Sequence, residues 1–385
     1  MIKIALLLDF TEEYHKNLLR GIIRYSREKG PWAFLRIPVY YRETLGADGI
    51  IKHLKAWGAK GLIGQFHDNT EISKFSRAGI SVIAQDFEER LHGVPNISGA
   101  YQETGELGAS YFLKKGFKNF AFYGFKNIVW SRERSEGFEK KVQEAGYKVH
   151  YFEHKKARSM NLWYYKPSVL SQWLKSLPKP IALMACDDNQ ALHISEASKH
   201  AGLRIPEDVA VLGVDNDENI CFLSDPALSS INLDVEKGGY EAAKLMNRLI
   251  LKQKMSHDIL IKPTRVVTRT STDIYATPDT HIVTVLKFIH NHADRDLKVD
   301  EIVREVPLSR RSLEKRFLET TGYPIYKYIL NLRIEKFAEL LERTDKSVFE
   351  IAQELGLNDT KNIARQFRQI KGTTPRGYRQ RAVHH

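Results

Sequence analysis

Residues 302–372 contain one pattern twice. Ile302-Val303, Val306-Pro307-Leu308, Leu313, Phe317 and Gly322 recur as Ile351-Ala352, Leu355-Gly356-Leu357, Ile363, Phe367 and Gly372. The offset is 49 before the turn and 50 after it, as if one residue had been added there. Ser309 and Asp359 correspond, and both are good N-cap types. Each copy reads as a short helix, a tight turn and a second helix held inward by two apolar residues four apart. That is the helix-turn-helix arrangement.

The second helix of each copy carries the chemistry. With Leu313 and Phe317 inward, Arg310, Arg311, Ser312, Lys315 and Arg316 are left on the other side. With Ile363 and Phe367 inward, Lys361, Asn362, Arg365, Gln366 and Arg368 are the polar set. Arg, Lys, Asn and Gln can hydrogen-bond base edges in a major groove, or phosphates. Gly372, Thr373, Arg376, Arg379 and Arg381 look suited to phosphate contacts. One such helix is easily a solvated amphipathic face; two in a repeat, each behind a turn, favour DNA. The 19 residues from Ile325 to Arg343, as a helix, span ~28 Å. Successive major grooves on one face of DNA are ~34 Å apart.

Charge points the same way. Lys and Arg number 59 against 47 Asp and Glu, a net of +12, which suits a polyanionic partner. From Asp359 onward there are seven basic residues and one acidic. Two cysteines, Cys186 and Cys221, exclude a disulfide scaffold and a zinc site of CxxC pairs. The first apolar run, Ile4 to Leu8, is too short for a signal peptide or a membrane helix, so a cytoplasmic location is expected.

The first 270 residues follow a different period. Strand-like runs are Ile2–Leu8, Gly61–Phe66, Val82–Gln85, Phe120–Phe125, Ile181–Ala185 and Val209–Val214. Helix-like stretches such as Tyr14–Glu28, Gln102–Lys114, Arg132–Ala145 and Asn189–Ala201 lie between them. That alternation predicts parallel sheets, and the strand number predicts two α/β lobes. The Thr, Asp and Pro of residues 271–280 read as a linker. The expected domains are therefore 1–270 for two α/β lobes, 271–280 for the linker, and 281–385 for an all-helical domain.

Ile351-Ala352-x3-Gly356-Leu357-x9-Phe367-x4-Gly372-x2-Pro375-x2-Tyr378-Arg379 resembles the AraC-type DNA-binding domain across 281–381. Ile363 departs from it, since many relatives have Phe there. Arg134-x2-Gly137-Phe138, Cys186-Asp187-Asp188-x2-Ala191, Ile205 to Asp215 and Leu228 to Asn232 resemble the Lac-repressor and periplasmic sugar-binding superfamily. The combination, in this order, is similar to a family of bacterial xylose-operon regulators. The resemblance is carried by Phe120 to Gly124, Trp130 to Arg134, Gly213 to Glu218, Arg269 to Asp273 and Leu308 to Phe317. It implies a periplasmic-binding-protein-like sensor followed by an AraC-type domain, binding to operator DNA, and D-xylose as effector. It also implies a homodimer formed through residues 1–270, and activation of transcription with RNA polymerase as partner. The first 60 residues carry it least.

The residues agree with a sugar cleft at strand ends. Asp9, Gln65, Asp188 and Asp215 each follow or end an apolar strand, where a carboxylate or amide can take a pair of sugar hydroxyls. Trp130 offers an aromatic face and Arg134 a forked donor. The bland alternatives are N-caps or turns for the first four, and a packed ring and a solvated charge for the other two. An enzyme is not expected: no GxSxG, P-loop or HExxH occurs, and no cofactor or metal is implied. The Gly105-Glu106-Leu107-Gly108 pair is weak as a phosphate loop. The alternatives that remain are another sugar, or a sugar-binding module with no transcriptional role.

Overall fold

The computed structural model describes residues 1–38, 40–66, 68–154, 167–253, 257–277, 279–292, 295, 297–344, 346–357 and 360–383. Two units divide the chain. One comprises Met1–Leu113 and Lys118–Asp273; the other comprises Lys114–Phe117 and the chain from Ile274 on.

The α/β unit has two lobes, each built on a six-stranded sheet. The first lobe begins β1 (Ile2–Leu7), α1 (Glu13–Lys29), β2 (Trp32–Arg36), α2 (Tyr40–Trp57), β3 (Gly61–Gln65), α3 (Asn69–Arg77), β4 (Ser81–Gln85) and β5 (Asn96–Gly99). The chain then crosses to the second lobe. There it forms α4 (Tyr101–Lys114), β6 (Phe120–Phe125), α5 (Val129–Glu144), β7 (Val149–His154), α6 (Pro167–Ser176), β8 (Ile181–Ala185) and α7 (Asp188–Ala201). β9 (Val209–Val214), α8 (Glu218–Leu223) and β10 (Ser229–Leu233) follow. The chain returns for α9 (Val235–Ile250) and β11 (Ile259–Ile261), and crosses a third time into β12 (Pro263–Val267).

The first sheet runs β11-β5-β4-β3-β1-β2, with every pairing parallel. The second runs β12-β10-β9-β8-β6-β7, and only its edge strand β12 is antiparallel. β6, β8 and β9 are buried along their whole length, which is why each is an unbroken apolar run. The crossings are tied together: the Ala100 N–H bonds to the Ile261 carbonyl, and the Asp234 N–H to that of Lys262.

α4 and α5 touch backbone to backbone. A Cβ on Gly105 would lie 2.0 Å from the Arg134 carbonyl oxygen, and one on Gly137 would lie 2.1 Å from that of Gln102. Gly105 therefore serves helix packing, and it fixes where α5 places Arg134.

The expected linker starts too early. Ser271 and Thr272 are fully buried in a short 3-10 turn of the α/β unit. The Ser271 hydroxyl donates to the Val211 carbonyl at 2.6 Å and accepts from the Ser229 N–H at 2.8 Å. Their polarity is spent on joining this turn to β9 and β10, not on meeting water.

The second unit is helical: α10 (Thr280–Asn291), α11 (Val299–Val303), α12 (Arg310–Thr321), α13 (Ile325–Arg343), α14 (Val348–Glu354), α15 (Thr360–Lys371) and α16 (Pro375–Val383). It has two apolar cores. Leu313 and Phe317 pack with Ile282, Val285 and Ile302; Ile363 and Phe367 pack with Phe337, Leu341 and Ile351. α13 supplies Ile325 and Ile329 to the first core, and Ile334, Phe337 and Leu341 to the second. The four inward residues read from the repeat are all buried.

Candidate effector cleft and DNA-reading helices

Arg134 is the centre of a buried cluster in the second lobe. It projects from the second turn of α5 and is 3% exposed. Nη1 donates to the Cys186 carbonyl at 2.5 Å, and Nη2 donates to Asp215 Oδ1 at 3.2 Å. Its guanidinium carbon lies 5.4 Å from the Trp130 ring and 5.5 Å from the Tyr101 ring. Trp130 stands edge-on to Phe125 at 6.0 Å. The sequence grouping of Trp130, Arg134 and Asp215 is thus one cluster.

Asp215 is held there against its backbone preference. Its φ is 97°, and that of Asn216 is 51°, in a region that side chains rarely adopt. Several bonds fix the loop. The Asp215 N–H reaches the Ile231 carbonyl at 3.0 Å, and the Asn216 N–H reaches Ser230 Oγ at 3.0 Å. Arg269 Nη2 donates to Asn216 Oδ1 at 2.9 Å. Strain held by so many partners marks a position whose side-chain direction matters.

Asp188 is bonded into the loop that carries Asp215. Its neighbour Asp187 caps α7, accepting the Gln190 N–H at 2.7 Å. Asp188 itself is 2% exposed, and its Oδ2 accepts the Asp217 N–H at 2.7 Å. Burial, then the nearby Asp215 charge, pushes its carboxyl well above the usual range. It buttresses the Asp215 loop from beneath. A side chain on Gly213 would collide with it, at 2.1 Å from Oδ1.

Asp9 and Gln65 stand at strand ends as expected, but their described contacts lie elsewhere. Asp9 accepts the Thr11 N–H at 3.0 Å and its hydroxyl at 2.6 Å. Its carbonyl bonds the buried His15, whose other ring nitrogen bonds Gln85. The Gln65 carbonyl accepts from Arg42. Neither joins the Arg134 cluster among the described contacts.

Three cleft residues went unread in the sequence. Asp86 follows β4, 1% exposed, and accepts from Tyr101 at 2.7 Å and Ser98 at 2.6 Å. Tyr101, 5.5 Å from Arg134, links it to the second lobe. Burial raises the Tyr14 hydroxyl far above its ordinary value, and the Asp86 and Asp215 charges add to this. Burial also lifts Asp86 to about 6, against the pull of Ser98, Tyr101 and Arg90. Asp215 reaches about 6 for the same first reason, with Arg134 pulling it back. Asp86 follows an apolar strand as Asp9 and Asp215 do, and that rule would have found it.

In the helical unit Ser309 caps α12, accepting the Ser312 N–H at 3.3 Å. Arg310, Arg311, Lys315 and Arg316 are exposed, and Ser312 is half-buried. Arg310 is bridged to Glu314 at 2.9 Å and Asp300 at 2.8 Å, and Arg316 to Asp279 at 3.3 Å. In α15, Arg365 and Arg368 are exposed and Gln366 is half-buried. The side chains of Lys361, Asn362 and Arg381, and the whole of Asp359, lie outside the described residues.

Arg379 corrects an expectation. Its guanidinium donates to the Leu341 carbonyl at 3.2 Å and to that of Lys346. It closes the C-terminal end of α13 and is not poised for a phosphate. Gly372, at φ 72°, ends α15 in the left-handed conformation, as Gly322, at φ 75°, ends α12. Both glycines are required by the turn.

Comparison with known proteins agrees with both units. Residues 109–272 match the periplasmic binding protein-like domain, and residues 302–381 match a helix-turn-helix domain. The xylose operon regulatory protein of Escherichia coli (strain K12) is 30% identical over 98% of this chain and 96% of its own length. The chain belongs to the xylose operon regulator family. The Haemophilus influenzae member is 29% identical over 98% of both chains. A solved structure of a xylose-binding transcription activator is 29% identical, with a TM-score of 0.63, covering 98% of this chain and 97% of that one. A dimeric Lac repressor, 19% identical with a TM-score of 0.56 over 71% of this chain, shares the fold of the sensor. Like its family, this chain is a sugar-responsive transcriptional regulator and not an enzyme. Among the described residues no helix is long and apolar enough to cross a membrane, and no group of acidic, His and Cys residues could hold a metal ion.

Proposed function

We propose that this regulator binds D-xylose between its lobes and, when loaded, activates pentose-utilisation genes. The observation that carries the proposal is the Arg134–Asp215 pair of the second lobe beside Tyr101, whose hydroxyl reaches Asp86 of the first lobe. Two carboxylates accept pairs of adjacent hydroxyls, Arg134 donates to a ring or hydroxyl oxygen, and Trp130 packs on the C–H face. Asp188 supports the site through the Asp215 loop, while Asp9 and Gln65 are its outermost candidates. A pentose, with no exocyclic carbon, suits a cleft so densely bonded within itself.

The partner at the other end is double-stranded operator DNA. Arg311, Arg365, Gln366 and Arg368 read it, joined by Lys361 and Asn362. Ser312 contributes beside them, and Arg310, Lys315 and Arg316 do so once their ion pairs with Asp300, Glu314, Glu319 and Asp279 are exchanged. The regulator works as a homodimer, in the cytoplasm, with RNA polymerase as the recipient of activation. Sugar shifts the equilibrium between two arrangements only by binding one of them better.

Isothermal titration with pentoses and hexoses tests the effector. Saturable binding of D-xylose, lost in Arg134→Met, is the expected result. Binding of a different sugar alone would replace xylose, and binding of none would remove the sensor reading.

A further inference from the structure

The loop between β4 and β5 meets the start of α5 across the lobes. The Val129 N–H donates to the Phe87 carbonyl at 2.8 Å, and Asn127 Nδ2 donates to Glu88 Oε1 at 3.2 Å. Arg90 belongs to the same loop. Its two terminal nitrogens grip both oxygens of Glu133, with Nη2 at 2.7 Å from Oε2. A fork on a carboxylate is the strongest and most directional ion pair available to a protein.

The third nitrogen of Arg90 faces the other way. Nε donates to Ser98 Oγ at 3.0 Å, and Ser98 Oγ donates in turn to Asp86 Oδ2 at 2.6 Å. The same Nε is 3.8 Å from Asp86 Oδ2, and the guanidinium lies 5.8 Å from the Tyr101 ring. Tyr101 holds the other Asp86 oxygen. One side chain therefore reaches both a carboxylate of the second lobe and the bonding shell of a cleft carboxylate in the first. Glu133 is also the residue before Arg134, so both ends of the bridge adjoin the ligand cluster.

We propose that Arg90 is a positioning residue of the effector site: it clasps Glu133 when the lobes are closed, and through Ser98 sets the direction of Asp86. This rests on the sensor reading above. A guanidinium used at three nitrogens cannot keep Glu133 when the lobes part. Opening thus releases the fork and loosens Asp86 together, and closing restores both. A ligand that needs Asp86 gains from the clasp in its apparent affinity, because the competent state is more populated.

The test uses the full chain and D-xylose. Sugar affinity is measured by calorimetry, and closure by the ligand-induced fall in radius of gyration in solution scattering. Arg90→Ala should weaken xylose binding about tenfold, and Glu133→Gln about threefold, since only the first also frees Asp86. The reversal Arg90→Glu with Glu133→Arg should recover closure by scattering but not the affinity carried by Asp86. A merely structural arginine would not be rescued by reversal. Arg90→Lys, which keeps charge without the fork, guards against a folding defect and should fall between. If the unmutated chain binds xylose and Arg90→Ala and Arg90→Lys bind it equally well, the clasp is wrong and the sensor reading stands. If the unmutated chain binds no sugar of the panel, both are wrong.

Discussion

Arg134 in the sensor is buried, bonded to a carbonyl and a carboxylate, and flanked by two rings. Arg311 and Arg368 in the helical unit stand exposed on the outer faces of α12 and α15. The same side chain does opposite work in the two places. In the cleft the charge is desolvated, so its direction and partners decide what binds. On the helices it stays in water, so its long-range field attracts a polyanion and salt screens it. The cleft should therefore respond to pH and to single atoms, and the helices to ionic strength.

The largest effect should follow from breaking the buried pair. Arg134→Met leaves Asp215 and the Cys186 carbonyl without their donor, at a cost of about 3–5 kcal/mol. Thermal melting should show that loss, and calorimetry should show no sugar binding. Adding Asp215→Asn should return part of the stability and none of the binding. Stability restored together with binding would mean that the pair is only a strut.

Next comes salt. Between 50 and 200 mM, affinity for operator DNA should drop by roughly 10³, as expected for a protein making several phosphate contacts. Sugar affinity should change less than twofold over the same range, by about the amount expected of a buried site. Parallel changes would erase the contrast.

A third effect, in pH, belongs to the cleft. Asp86 titrates at about 6 in the folded chain. An unfolded aspartate titrates at about 3.9. The folded state thus holds the extra proton between these values, and this contribution to stability is full below about 4 and lost as pH rises through 6. Asp86→Asn should raise stability by about 1–2 kcal/mol at pH 8, with the gain gone near pH 4. It should also weaken sugar binding. Denaturant titrations at the two pH values measure the difference.

The smallest effect separates the two reading helices. α12 carries Glu314, which holds Arg310, whereas no acidic residue occurs in Thr360–Lys371. Glu314→Gln should strengthen DNA binding about two- to threefold, because an exposed pair is cheap to break. A change in the sensor's sugar affinity would contradict the division of labour.

The sequence revealed most where burial is complete. Phe120–Phe125, Ile181–Ala185 and Val209–Val214 are strands with those bounds, since a strand covered on both faces must be apolar throughout. Trp32–Arg36, Asn96–Gly99 and Pro263–Val267 were silent, as edge or short strands that carry polar residues. The 19-residue α13 was legible because it has no breaker. Ser271 and Thr272 misled, because their partners lie some 40 to 60 residues away in sequence. The same holds at the cleft. Arg134 and Asp215 carry family motifs and Asp86 follows an apolar strand as Asp215 does, but Tyr101 joins them only through topology. Arg379 shows the limit for charges: an exposed cation and a helix cap look alike until the carbonyls have positions.

α13 belongs to two cores at once, and that makes it a ruler. Each residue added between Ile329 and Ile334 would push the second reading helix ~1.5 Å along the axis and turn it by ~100°. No small insertion corrects both. Translation by a few ångströms corresponds to a base pair or two, while the rotation would aim the helix away from the groove. The spacing between the two halves of an operator is therefore a property of one helix's residue count, and it can drift only if that count and the DNA change together.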